Sequence, residues 1–126
     1  MQKHANKKVL AAVTDLFFTV KISDAAKRAG MQVEFVKNDQ ELLEKAQTKP
    51  AVIILDLNLD AVHPLKTISK LKSDPELKKI SLIGFVSHVQ AELKQKAQES
   101  GCDMVLARSA FSQNLPQILK RHSGTL

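Results

Sequence analysis

At 126 residues the chain has the length of one average domain, enough to bury a core without disulfides or a structural metal. Hydrophobic residues make up 44% and charged residues 25%, an ordinary soluble balance, and the single cysteine, Cys102, excludes a disulfide framework and a multi-cysteine zinc site. Nineteen Lys and Arg against thirteen Asp and Glu give a net charge of +6, which favours acidic partners, but the basic residues are spread along the chain and the absence of Trp and Tyr argues against a base-stacking surface.

The polar, basic stretch Met1–Lys8 and the interruption of the first apolar run by Thr14 and Asp15 leave no signal peptide and no membrane span, so a cytoplasmic protein is expected. Val9–Val13 is the first predicted strand. Phe18, Ile22, Ala25, Ala26 and Ala29 then form an apolar stripe at helical spacing, ended by Gly30 as a C′ residue. Gln32–Val36 is the second strand. Asn38 followed by Glu41 is a capping-box pattern that opens a second helix, which must stop before Pro50.

Ala51–Leu57 is a third strand, apolar on both faces, as expected of a parallel sheet covered on both sides. Leu65, Ile68 and Leu71 form the next helical stripe, closing near Ser73-Asp74-Pro75. Ile80–Val86 is the fourth strand, with Ser87 and Gln90 as a second capping-box pattern. Val89, Leu93, Ala97 and Ser100 make a further stripe, stopped by Gly101. Asp103–Ala107 is the last strand. Phe111, Leu115, Ile118 and Leu119 mark the last helix, with Asn114 predicted as its cap and Pro116 in its first turn. Five strands alternating with helices imply right-handed crossovers and a doubly wound α/β sandwich.

In such a sheet ligands bind beyond the carboxyl ends of the strands. The polar residues there are Thr14 and Asp15, Asp56 and Asn58, Ser87 and His88, and Arg108 with Ser109. Carboxylates and a carbonyl suit a hard divalent cation, whereas a hydroxyl and a cation suit phosphoryl oxygens. Bland readings stand beside these. Asp15 is equally a helix N-cap, Ser87 a cap, Asp56 a cap or loop solvator, and Arg108 an exposed side chain. Cys102 beside Met104–Ala107 reads as a small buried thiol. His88 lacks a triad, His4, His63 and His122 lack metal-ligand spacing, and Ser69-Lys70-Leu71-Lys72 lacks the companion motifs of penicillin-recognising enzymes.

Three stretches carry a family resemblance over roughly residues 8 to 121. The run from Pro50 to Leu59, with Asp56 ending an apolar stretch and Asn58 two places on, resembles the third strand of the receiver domain of bacterial two-component response regulators. Leu71 to Ile80 resembles that family's link from third helix to fourth strand, and Gly101 to Arg108 its Gly-Ala-Asp-containing fifth strand. The resemblance implies a single flavodoxin-like (βα)5 three-layer sandwich with parallel strand order 2-1-3-4-5. It implies Asp56 as phosphoacceptor from a histidine kinase or phosphotransfer protein, and Mg²⁺ held by Asp15, Asp56 and the Asn58 carbonyl. Ser87 and Arg108 would contact the phosphoryl group. The output face towards a downstream protein would lie around Val86–Gln98 and Val105. A stand-alone domain of this kind is not expected to be an enzyme.

Four departures accompany the matches. Thr14-Asp15 supplies one acid where the family has a pair, so the Mg²⁺ site is weakened or absent. Arg108 replaces a lysine, exchanging a point charge for a planar fork. Val105 stands where the family has a switch aromatic, and Asp60 where it often has proline. Three readings therefore stand open: a phosphorylatable receiver, a pseudo-receiver that keeps the fold as an interaction module, and, from the charge alone, a nucleic-acid-binding protein.

Overall fold

A computed structural model of the chain describes residues 7–87 and 90–123. Its elements follow one another as β1 (Lys8–Ala12), α1 (Leu16–Arg28), β2 (Gln32–Val36), α2 (Asp39–Ala46), β3 (Val52–Asp56), a 3-10 turn (Asp60–Val62), α3 (Pro64–Ser73), β4 (Ser81–Val86), α4 (Ala91–Ser100), β5 (Met104–Ala107) and α5 (Arg108–His122). The five strands form one sheet, β2-β1-β3-β4-β5, with every neighbouring pair parallel. This is the predicted doubly wound sandwich, flavodoxin-like in its strand order.

The period-two alternation of the strands divides the core into two layers. Leu10, Ile53, Leu55 and Leu82 point to one face, where Leu42 and Ala46 of α2, Ile68 and Leu71 of α3 and Ala97 of α4 cover them. Val9, Ala11, Val52, Ile54, Ile83 and Phe85 point to the other and meet Phe18 and Ile22 of α1 and Phe111, Leu115 and Leu119 of α5. β3 is buried along its whole length because it has strands on both sides and helices on both faces. Fully burying each large apolar side chain is worth about 1.5–3 kcal/mol, so these stripes outweigh local preference wherever the two conflict.

Local chemistry ends several elements as the sequence suggests. The Asn38 Oδ1 accepts the Glu41 N–H at 2.8 Å, and Glu41 returns a bond to the Lys37 N–H at 2.8 Å, one residue earlier than in the standard box. Gly30, at φ +73°, closes α1 with the Met31 N–H on the Ala26 carbonyl and its own N–H on the Lys27 carbonyl, a Schellman ending.

Two predicted helix starts are wrong. Ser87 does not cap α4: the N-cap is Gln90, without a side-chain cap bond, and the Ser87 N–H and the Gln90 amide both bond to Asn58 instead. Asn114 and Pro116 do not open α5. The helix starts at Arg108, directly after β5, and runs through Pro116 on its exposed side. Losing one helical hydrogen bond at a proline costs about 3 kcal/mol, less than the combined burial of Phe111, Leu115, Ile118 and Leu119 returns. Asn114 spends its amide on the Ala110 carbonyl, 2.7 Å away. His4, His88 and Val89 of the sequence reading lie outside the described residues.

At the amino ends of the strands the Lys72 ammonium reaches the Lys78 and Ile80 carbonyls at 3.0 and 3.1 Å and the Asp103 carboxylate at 2.8 Å. That same carboxylate oxygen accepts the Leu82 N–H at 2.8 Å, so one lysine ties α3 to the entries of β4 and β5. No helix among the described residues is long and apolar enough to cross a membrane.

Candidate functional site

The chain turns outward in opposite directions from β1 and β3, the central neighbours of the sheet, which leaves a crevice beyond their carboxyl ends. Asp56 is the last residue of β3 and lies opposite Phe85 of β4. It is buried, 8% exposed, at the end of a strand whose other residues are apolar. The Asn58 N–H donates to its Oδ1 at 2.9 Å. Burial pushes the Asp56 carboxyl above its ordinary value, while the Asn58 N–H and the Arg108 charge pull it down and the Asp15 charge pushes it up. The three charged groups therefore sense one another across the crevice.

Asp15 enters from the start of α1. Its Oδ1 accepts the Phe18 N–H at 3.1 Å and caps the helix; its Oδ2 accepts from Arg108 Nη2 at 2.9 Å. These two partners, the guanidinium first, hold its carboxyl below the ordinary carboxylate range. Arg108 comes from the first position of α5, ninety-three residues further along the chain. Its guanidinium lies over the Phe18 ring at 4.5 Å and the Phe85 ring at 5.8 Å. Those rings stack at 4.9 Å, and Phe85 stacks on Phe111 at 4.7 Å, so a ladder of three buried aromatics forms the floor beneath the cation. A guanidinium over aromatic faces gains about 0.5–2 kcal/mol.

Asn58 is exposed and joins two loops: its Oδ1 accepts the Ser87 N–H at 2.8 Å, and its Nδ2 donates to Gln90 Oε1 at 2.9 Å. The half-buried Ser87 thus stands at the mouth of the crevice, at the end of β4. Val105 of β5 is 4% exposed and packs in the α2–α4 layer. Asp60 begins the 3-10 turn beyond Asn58.

The five residues to which the resemblance gives a role at the site, Asp15, Asp56, Asn58, Ser87 and Arg108, lie at this one edge of the sheet. The aromatic floor and Gln90 were missed. Phe18 and Phe111 read as core stripe residues, and nothing local marks them as supports for a cation.

No family model matches the chain. It is 22% identical over 102 residues to the polar-differentiation response regulator DivK of Brucella anthropi, covering 80% of this chain and 83% of that one. A response regulator from Hahella chejuensis superposes with a TM-score of 0.83 at 20% identity, over 94% of this chain and 96% of that one. The phosphorylated cyanobacterial phytochrome response regulator RcpA superposes with a TM-score of 0.77 at 22% identity, over 93% and 91%. The fold is that of a response-regulator receiver domain. These likenesses, almost end to end, put the crevice of Asp56 at the carboxyl edge of a receiver sheet.

Within the receiver fold, the donor set that the resemblance implies for Mg²⁺ is Asp15, Asp56 and the Asn58 carbonyl. As arranged, these residues do not fit a divalent cation. One oxygen of Asp15 is committed to the helix cap and the other to a guanidinium, and a bound dication would lie against that fixed positive charge. Among the described residues no group of three or more His, Cys, Asp or Glu is placed to hold a metal ion. Hard cations are held by the number and geometry of their carboxylates, and this site brings two, one of them already neutralised.

Proposed function

We propose that this receiver-fold domain accepts a phosphoryl group on Asp56 from a phosphohistidine of a kinase or phosphotransfer protein in the cytoplasm, and signals through protein–protein contacts. The observation that carries the reading is a lone carboxylate ending the central buried strand with a fixed cation within electrostatic reach. Burial favours reaction twice: it raises the basicity of the carboxylate, and it strips water from the nucleophile. In the transfer an Asp56 oxygen forms the new O–P bond. The P–N bond breaks with its electron pair returning to the imidazole nitrogen, which takes up a proton. The Asn58 N–H orients the carboxylate, Arg108 offsets the charge of the phosphoryl oxygens, and Ser87 stands at the crevice mouth where its hydroxyl can donate to one of them.

A second reading, an interaction module without phosphoryl chemistry, is favoured by the Asp15–Arg108 pair, which spends the one remaining acid of the family's pair on an internal ion pair. Incubation with phosphoramidate, with and without Mg²⁺, followed by intact-mass measurement separates the two. A hydroxylamine-labile gain of one phosphoryl group in the wild type but not in Asp56→Asn is the expected result. No gain under either condition removes the phosphoacceptor reading and leaves the interaction module.

A further inference from the structure

Arg108, the basic side chain paired with Asp15 at the crevice, is held more firmly than a surface ion pair needs. Its Nη2 is bonded to Asp15 at 2.9 Å, its plane lies on Phe18 and beside Phe85, and both rings are fixed in the core. Asp15 is itself fixed by the Phe18 N–H, so Phe18 supports the guanidinium through its ring and its partner through its backbone. The side chains of both members are about one-third exposed, open enough for a ligand to reach. We propose that Arg108 is the resident cation of the Asp56 crevice: it closes the site to divalent metals and takes, in their place, the oxygens of a phosphoryl-type anion at Asp56.

Charge count and donor geometry support this. Two carboxylates face the crevice, and Arg108 neutralises one of them, leaving no acidic pair for a dication. A guanidinium has five N–H donors in a rigid fork, of which the Asp15 bond uses one. The remaining donors match the paired oxygens of a phosphoryl group. Losing an acid and exchanging lysine for arginine are then one change rather than two defects: the surviving acid positions the cation that replaces the metal.

The second half of this inference rests on the phosphoacceptor reading, and two measurements keep the two apart. In the first, Mg²⁺ is titrated in the millimolar range into ¹⁵N-labelled wild type, Arg108→Ala and Arg108→Gln, following the amides of Asp15, Asp56 and Asn58. The wild type is expected to show no saturable shift, and at least one of the folded variants to gain one. Saturable Mg²⁺ binding by the wild type, or none by either folded variant, overturns the assignment of metal exclusion to Arg108. Arg108→Gln is shorter but keeps part of the aliphatic stem and an N–H donor, which protects the test against misfolding of the alanine variant. In the second, chelator-treated protein is mixed with beryllofluoride and observed by ¹⁹F NMR. A bound resonance without Mg²⁺, unchanged on adding it and lost in Arg108→Ala, is expected. A resonance that needs Mg²⁺ overturns the cation assignment while supporting Asp56 as acceptor. No resonance under either condition overturns both the anion half and the phosphoacceptor reading, and the Mg²⁺ titration then decides the metal half alone.

Discussion

Gly84 lies in the middle of β4, beside Leu55 of β3, and an added Cβ would meet Leu57 Cγ and Cδ1 at 2.9 Å and Cδ2 at 3.1 Å. Leu57 is 3% exposed and follows Asp56 directly, so it has no solvent to swing into, and any shift is felt at Asp56. Overpacking a filled core costs about 1–3 kcal/mol. Replacing a strand glycine returns about 0.5–1 kcal/mol of backbone entropy. Gly84→Ala should therefore destabilise by about 1–2 kcal/mol, which at a urea m-value of about 1–3 kcal/mol per molar lowers the midpoint by roughly 0.3–2 M. Far-UV circular dichroism is the natural probe, because the chain has no Trp or Tyr to report by fluorescence. Leu57→Ala removes all three contacting atoms and alone costs about 2–5 kcal/mol through its cavity. In the double variant the new methyl enters that cavity, so the two changes should be non-additive by about 1 kcal/mol or more in the favourable direction. Additive costs, or a Gly84→Ala midpoint equal to wild type, would refute the steric reasoning.

Asp56→Asn should melt at a higher temperature than wild type at neutral pH. Burial raises the folded-state value of this carboxyl above its ordinary 3.8, so the folded chain binds the proton more tightly; that stability is full below 3.8 and lost as pH rises through the folded value. The advantage of the amide should shrink as pH falls towards 3.8, and melts that show no advantage at neutral pH would contradict the burial argument. Lys72→Met keeps the aliphatic stem against Gly101 but leaves the Lys78 and Ile80 carbonyls and Asp103 short of a donor. A loss of about 1–3 kcal/mol in urea unfolding is expected, with the amides of Asp15, Asp56 and Asn58 unmoved because the network lies at the other end of the sheet.

Period and punctuation made the scaffold legible. The predicted Gln32–Val36 is β2 to the residue, and the other four strand bounds differ by a residue at one or both ends, the part of an element that pattern fixes least. Gly30, Gly101 and Asn38 were readable because each acts on its immediate neighbours. Ser87 and Asn114 misled for the opposite reason. Each has local capping chemistry, but other interactions decided its role: the distant Asn58 for Ser87, and for Asn114 the burial of the α5 stripe against the sheet. The strand-end rule collected the site residues without any knowledge of their contacts. It could not show that Asp15 and Arg108 bind each other, because that pairing exists only once β1 and β5 are held in one sheet.

Asn58 faces two ways at once. Its main chain touches the Asp56 carboxylate, and its side chain grips the connection that leads into α4 at two points, Ser87 and Gln90. With valine at position 105, no ring is available there to turn between two states. Asn58 is thus the single residue through which the buried Asp56 carboxylate and both ends of the connection into α4 are held together.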